Sequence, residues 1–130
     1  MSIKEFVNKY LSNHAETSDR SLQPELKTKY FKATKDQLFR HLIDQFSKSA
    51  DYELIGSSEE RGEISVYYKK KRKTFMVISV IMIRPYRTAV DFSVTTESAF
   101  PIDFGNTHRV IGEHYEWIGK TYPNIDSKEY

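Results

Sequence analysis

The chain has no cysteine. Disulfides, thiolate metal sites, cysteine-held iron–sulfur clusters and cysteine nucleophiles are therefore excluded. Glycine (five) and proline (four) are scarce, which is incompatible with a collagenous or Gly/Pro-rich disordered chain. The longest apolar run, Phe75–Ile83, is nine residues interrupted by Ser79, whereas a membrane-spanning helix needs about 20. Neither charge sign dominates. The 20 Lys+Arg against 18 Asp+Glu leave a formal net charge of +2, too little long-range field for a dedicated nucleic-acid binder. There is no Gly-x-Ser-x-Gly elbow, Gly-rich phosphate loop or dinucleotide fingerprint. Met1-Ser2-Ile3-Lys4 lacks the basic start and apolar core of a secretory signal, and Ser2 stands where N-myristoylation needs glycine. These absences lead us to expect a soluble cytoplasmic protein without transmembrane segment, cofactor or metal.

What is present points to a folded domain. At 130 residues with 14% aromatics, residues 1–130 fit a single domain able to bury a core. Ile3, Phe6, Val7, Tyr10 and Leu11 form one helical stripe, and Ser2/Glu5 have the spacing of a capping box, which predicts a helix over Ser2–Leu11. The polar, aperiodic stretch 14–24 reads as a loop. Leu26–Ala33 has strand character. Thr34-Lys35-Asp36-Gln37 is a second capping box, opening a helix with Leu38, Phe39, Leu42, Ile43 and Phe46 on its buried stripe and its end near Ala50. Strands are then expected at Tyr52–Ser57, Glu63–Lys69, Thr74–Ile83 and Tyr86–Thr96. The last of these alternates, with Tyr86, Thr88, Val90, Phe92 and Val94 inward and Arg87, Ala89, Asp91, Ser93 and Thr95 outward. After a loop at Ser98–Gly105, Asn106 or Thr107 caps a final helix that Pro123 stops, leaving 124–130 as a polar tail. Gly112 and Gly119 in that helix permit close approach to the sheet.

The fold class is thus α+β, in the order α-β-α-β-β-β-β-α, with a five-stranded, mainly antiparallel sheet carrying helices. Both faces of Phe75–Ile83 are apolar and want cover. We expect the N-terminal helix to provide it in a monomer, with a homodimer as the alternative.

Two stretches, NHAETSDRSLQPELKTKYF and TTESAFPIDFGNTHRVIGEHYEWI, resemble small uncharacterised cytosolic proteins of Gram-positive bacteria grouped as domains of unknown function. The resemblance implies an α+β fold with a large antiparallel sheet. It implies no activity and no functional residue.

Chemistry-bearing residues are few. Lys69, Lys70, Lys71, Arg72 and Lys73, flanked by Tyr67, Tyr68 and Phe75, form an anion patch able to touch phosphate while aromatics stack on bases. A lysine-rich solvated turn is the simpler account, so nucleic acid is disfavoured. His108 and His114 lie too far around a helix to share a metal, and His14, Glu16 and Asp19 could converge only through their loop. Arg84 and Arg87 beside Pro85 either hold an anion or steady a turn. Tyr30, Tyr68, Tyr86, Phe92 and Trp117 would line a ligand cavity in a helix-grip arrangement, or else fill a core. No catalytic residue is assigned, and the residues favour a non-enzymatic interaction or binding module with a protein or small-molecule partner. The candidate ligand-binding residues lie in two polar loops: His14, Asp19 and Arg20 in one, Asp103, Asn106 and His108 in the other. The alternatives are a helix-grip small-molecule or lipid-binding domain, enzymatic or not, and weak nucleic-acid or anion contact through 69–73.

Overall fold

The computed structural model describes Ile3 and residues 13–97 and 105–125. All of the expected helix Ser2–Leu11 but Ile3, the loop residues 98–104 with Asp103, and tail residues 126–130 lie outside the described residues. The elements are β1 (His14–Glu16), a 3-10 turn (Pro24–Leu26), β2 (Lys29–Phe31), α1 (Lys35–Lys48), β3 (Tyr52–Ser58), β4 (Glu63–Tyr68), β5 (Thr74–Arg84), β6 (Arg87–Thr96), α2 (Asn106–Thr121) and β7 (Asn124–Ile125).

The architecture is α+β, and the sheet has seven strands rather than five. Its order is β3-β4-β5-β6-β2-β7, with β1 also on β6, and every pairing is antiparallel. The two additional strands, β1 and β7, fall in stretches expected to be loop and tail. Each has at most three residues, too short for a periodicity to show. They are strands because a distant partner offers an edge: His14–Glu16 pairs with Ser93–Thr95, and Asn124–Ile125 pairs with β2. The expected strand Leu26–Ala33 shrinks to Lys29–Phe31, because Pro24 starts a 3-10 turn that takes Leu26 into the core.

Helix α1 forms as its sequence dictates. Thr34 Oγ1 accepts from Gln37 N–H (3.1 Å) and Gln37 Oε1 accepts from Thr34 N–H (2.9 Å), both halves of the capping box. Leu38, Phe39, Leu42 and Phe46 are its buried stripe. They meet Ile64, Val66, Met76, Ile78, Val80, Phe92 and Val94 from the sheet and Val110, Ile111, Tyr115 and Ile118 from α2 in one core. This is the inner face of the sheet, with α1 against β3 and β5 and α2 across β6.

Helix α2 starts differently from expectation. Gly105, at φ 84°, is the N-cap, and no side chain caps the helix. Asn106 therefore sits in the first turn with its amide turned into the sheet. Gly112 and Gly119 do not bring α2 against the sheet either, since a Cβ at either would have no neighbour within 4 Å.

The outer face is covered unevenly. Near its Arg87–Asp91 end, side chains of the segment 17–28 reach it. Asp91 Oδ1 accepts from Thr17 Oγ1 (2.7 Å) and Thr28 Oγ1 (2.5 Å), and the buried Arg87 lies over the Tyr30 ring at 4.5 Å. Arg87 and Ala89, on the face expected outward, are buried, while Tyr86, expected inward, is 58% exposed. Strand β5 is no uniform interior ribbon. Thr74, Met76, Ile78 and Val80 are fully buried, and Phe75, Val77 and Ser79 half-buried. Ile81, Met82 and Ile83 are exposed.

Candidate functional site

His14 of one polar segment and Asn106 of the other reach the same end of β6 from opposite faces. Consecutive strand residues point to opposite faces, and here they are Thr95 and Thr96. Thr95 serves the outer face, where its hydroxyl donates to His14 Nδ1 (2.6 Å) and His14 Nε2–H donates to Glu16 (3.0 Å). Thr96 serves the inner face, where Asn106 Nδ2 donates to its Oγ1 (2.8 Å) and to Thr74 Oγ1 (3.2 Å). The sheet itself separates the two groups.

Hydroxyl, imidazole and carboxylate in a row have the connectivity of an acyl-transfer relay. The surroundings do not support that use. His14 and Glu16 are 43% and 65% exposed, and Thr95 is paired on both sides, to Phe75 and His14. The next amide, Thr96 N–H, donates to Asn13 O. The amides flanking the hydroxyl are thus tied into the sheet instead of converging as an oxyanion hole.

The other loop candidates do architectural work. Asp19 accepts from the Tyr30 hydroxyl (2.6 Å); burial, then this carboxylate, pushes the phenol up to about 12. Arg20 closes a turn through its N–H on Ser18 Oγ (3.1 Å). Asn106 is a clamp tying α2 to the ends of β5 and β6, its Oδ1 accepting from Arg109 (2.9 Å). His108 is buried, with Nε2 bonded to Gln23 Oε1 (3.2 Å). Among the described residues, no group of three or more His, Asp or Glu could hold a metal: Asp19 turns to Tyr30, away from His14 and Glu16.

In the basic turn, carboxylates accompany the cations. Lys69 Nζ lies 3.9 Å from Glu53 and Lys73 Nζ 3.9 Å from Glu97, while Lys73 also sits 4.2 Å above the Tyr67 ring. Exposed pairs of this kind add little stability, yet they place negative charge where a phosphate would have to approach. Lys70 and Lys71 remain fully on the surface, with Arg72 half-buried.

Aromatic rings occupy the space where a helix-grip protein would hold its ligand. His114 on α2 is the hub. Its Nδ1–H donates to Val110 O (2.7 Å), so the neutral ring accepts at Nε2 from the Tyr52 hydroxyl (2.7 Å). Tyr68, Trp117 and Phe92 surround it at 4.9, 6.0 and 6.1 Å between centroids. Burial pulls the imidazole below its ordinary value, against the opposing Val110 bond, and pushes the Tyr52 and Tyr68 phenols up. Of the other proposed lining residues, Tyr30 lies on the outer face under Arg87 and Tyr86 lies at a hairpin turn, so the five do not converge. A shallow groove of about 550 Å³ does exist elsewhere, along α2, floored by Gly112 and Gly119 and walled by Lys29, Tyr115, Glu116 and Lys120.

A feature that sequence reasoning missed is the β5–β6 hairpin end. Glu63, the first residue of β4, pairs with Ser79, and the Val80 N–H donates to Gly62 O (2.7 Å). There β4 stops. Gly62 makes the stop possible: at φ +69° a Cβ would stand 2.2 Å from Val80 O, a conformation and an approach open only to glycine. From Ile81 onward β5 has β6 on one side and no described strand on the other. All of Ile81–Tyr86 is exposed, with Ile81, Met82, Ile83 and Tyr86 at 47, 54, 48 and 58%. Arg84 pairs with Arg87 across Pro85-Tyr86. Proline fixes its own φ near −65°, which excludes the usual hairpin turns, and Tyr86 takes the left-handed position at φ 61° that glycine normally fills. The available signal was the run IMIRPY itself, apolar up to a turn. Among the described residues, no helix is long and apolar enough to cross a membrane. No protein family, curated protein or solved structure compared with this chain matches it.

Proposed function

We propose that this chain is a non-enzymatic binding module whose working surface is the hairpin end Ile81–Tyr86. The observation that carries the reading is the run of consecutive exposed residues, three of them large aliphatics, ending in a tyrosine held at positive φ. A strand normally hides every second side chain; a ribbon open on both faces is a surface awaiting a partner. Backbone strain at a bulky residue also concentrates where chains do something other than fold. In the same proposal the chain is one of the bacterial cytosolic proteins it resembles at 13–31 and 95–118. The helix-grip and lysine-turn alternatives have less support, given the ring-filled interior and the carboxylates beside Lys69 and Lys73.

The test is affinity capture from cell extract with the wild type and with Ile81→Ser/Ile83→Ser, both confirmed folded by circular dichroism. A bound component retained by the wild type and lost from the double variant supports the reading. Equal retention by both moves the function elsewhere.

A further inference from the structure

Strand β3 forms the long edge of the sheet. It runs seven residues with Glu53–Ser57 all exposed, and among the described residues it pairs on one side only, with β4. Proteins commonly blunt such an edge with lysine, proline, a short strand or a bulge. Strand β3 has no lysine and no proline. Its one device is a bulge, where Ile55 has no counterpart on β4 and stands 51% exposed beside Leu54 at 37%.

Backbone parity shows what this edge offers. The Lys69 N–H donates to Asp51 O (2.7 Å), which makes Asp51 and Lys69 a hydrogen-bonded pair. Bonded and non-bonded pairs alternate along an antiparallel ladder. Glu53–Tyr67 is therefore bonded, and Leu54, opposite Val66, turns its N–H and C=O away from β4. The one charge of the strand is already matched, Glu53 lying 3.9 Å from Lys69. The edge thus asks for a neutral, aliphatic strand, and β3 is itself such a strand.

We propose that β3 is a self-association edge, on which a second copy of this chain lays its own β3 antiparallel and joins two sheets into one. A two-fold axis between the two Leu54 residues, perpendicular to the sheet, lets each Leu54 N–H donate to the other C=O. It sets Tyr52 opposite Gly56 and Glu53 opposite Ile55, so no like charges face each other. Helix α1 favours a second copy over a foreign strand. It packs on β3, and a groove of about 350 Å³ beside it is lined by Phe39, Arg40, Ile43, Asp44, Ser47 and Glu59. A peptide strand would cover the β3 edge alone. A second copy also brings its own α1, on the same face of the joined sheet, toward that groove. The groove carries both charge signs, so two copies of it do not repel. The hairpin Ile81–Tyr86 belongs to β5 and β6, beyond β4, and stays uncovered.

Sedimentation equilibrium of the full chain at micromolar concentrations tests this, and the wild type is expected to be a dimer. Ile55→Asp sets a carboxylate against the partner's Glu53 on both sides of the axis and should weaken the dimer about tenfold or more. Ile55→Lys meets the same Glu53 with a cation and should stay within about threefold of the wild type. Equal weakening by both would mean an apolar contact without this register, and overturns the proposal. Leu54→Pro deletes the N–H at the axis, on an edge that tolerates proline, and should give a monomer. If melting shows that Leu54→Pro does not fold, the two Ile55 variants decide alone. A wild type that is monomeric at every concentration overturns the proposal. So does a dimer indifferent to the β3 substitutions, or one abolished instead by Ile83→Ser, which would move the contact to the hairpin.

Discussion

Strand β5 is two strands in one, and its halves are written in the same alphabet. Over Thr74–Val80 alternate side chains are wholly buried between β4 and β6; over Ile81–Ile83, equally aliphatic, all are about half exposed. Composition does not separate them, because what differs is the neighbour. Where β4 runs alongside, helix α1 can lie across the joined strands. Where the Gly62 turn has taken β4 away, no described strand runs along that side, and the ribbon's side chains stay half exposed. Hydrophobicity states a demand for cover, and topology decides whether it is met inside the chain.

The sharpest way to break this comparison is a matched truncation in each half. Ile78→Ala, which empties a fully buried site, is expected to cost about 3–4 kcal/mol in chemical denaturation. Ile83→Ala should stay within ~0.5 kcal/mol, as exposed substitutions do. Similar losses at both positions would mean that Ile83 is covered after all.

Next in size is the residue that sets the boundary. Gly62→Ala must either leave the left-handed region or push Val80 O away, and about 2 kcal/mol or more should be lost. Hydrogen exchange should then show the Val80 amide, bonded to Gly62, losing protection before Ile78.

Acid addresses the covered side alone. Burial lowers the pKa of both His114 and His41, His41 being the less enclosed. Protonation therefore favours the unfolded chain. Their contribution to stability is complete above the ordinary value of about 6.5 and declines as pH falls from there toward the lowered folded values. The slope is at most about 1.4 kcal/mol per pH unit for each group. Urea unfolding at several pH values between 7.5 and 5 should show this decline, and His114→Phe should flatten it. An unchanged slope in that variant would assign the titration elsewhere.

The smallest effect has the opposite sign. Tyr86→Gly relieves a positive φ worth about 1–2 kcal/mol and gives back part of it as unfolded-chain entropy. A gain of up to ~1 kcal/mol should appear as a slightly higher melting temperature. A clear loss would show that the Tyr86 ring makes contacts that hold the hairpin.

Much of the fold was legible because its signals are local. The Thr34/Gln37 capping box fixed the start of α1, and period-two runs placed β3 to β6 to within a residue or two. What escaped depends on distant partners. His14–Glu16 becomes a strand only because β6 has an open edge there, and Arg87, from β6, is buried over the ring of Tyr30, 57 residues earlier in the chain. The candidate polar loops were visible as loops, but which side of the sheet each serves turns on the parity of Thr95 and Thr96, which no loop composition encodes. Met82 was invisible for a related reason. It is exposed where β4 ends early and no other described strand continues beside β5.

The pairing of β1 with β6 also sets a timetable. His14 finds its strand partner Thr95 only 81 residues later in the chain. At a ribosomal pace of 5–20 residues per second, that is a wait of roughly 4–16 s. Throughout it, Asn13–Phe31 has no sheet to join and depends on whatever company the nascent chain keeps. Only when β6 emerges can the first strands be stitched in, which makes the last strand of the meander the one that admits them, before α2 and β7 close the core.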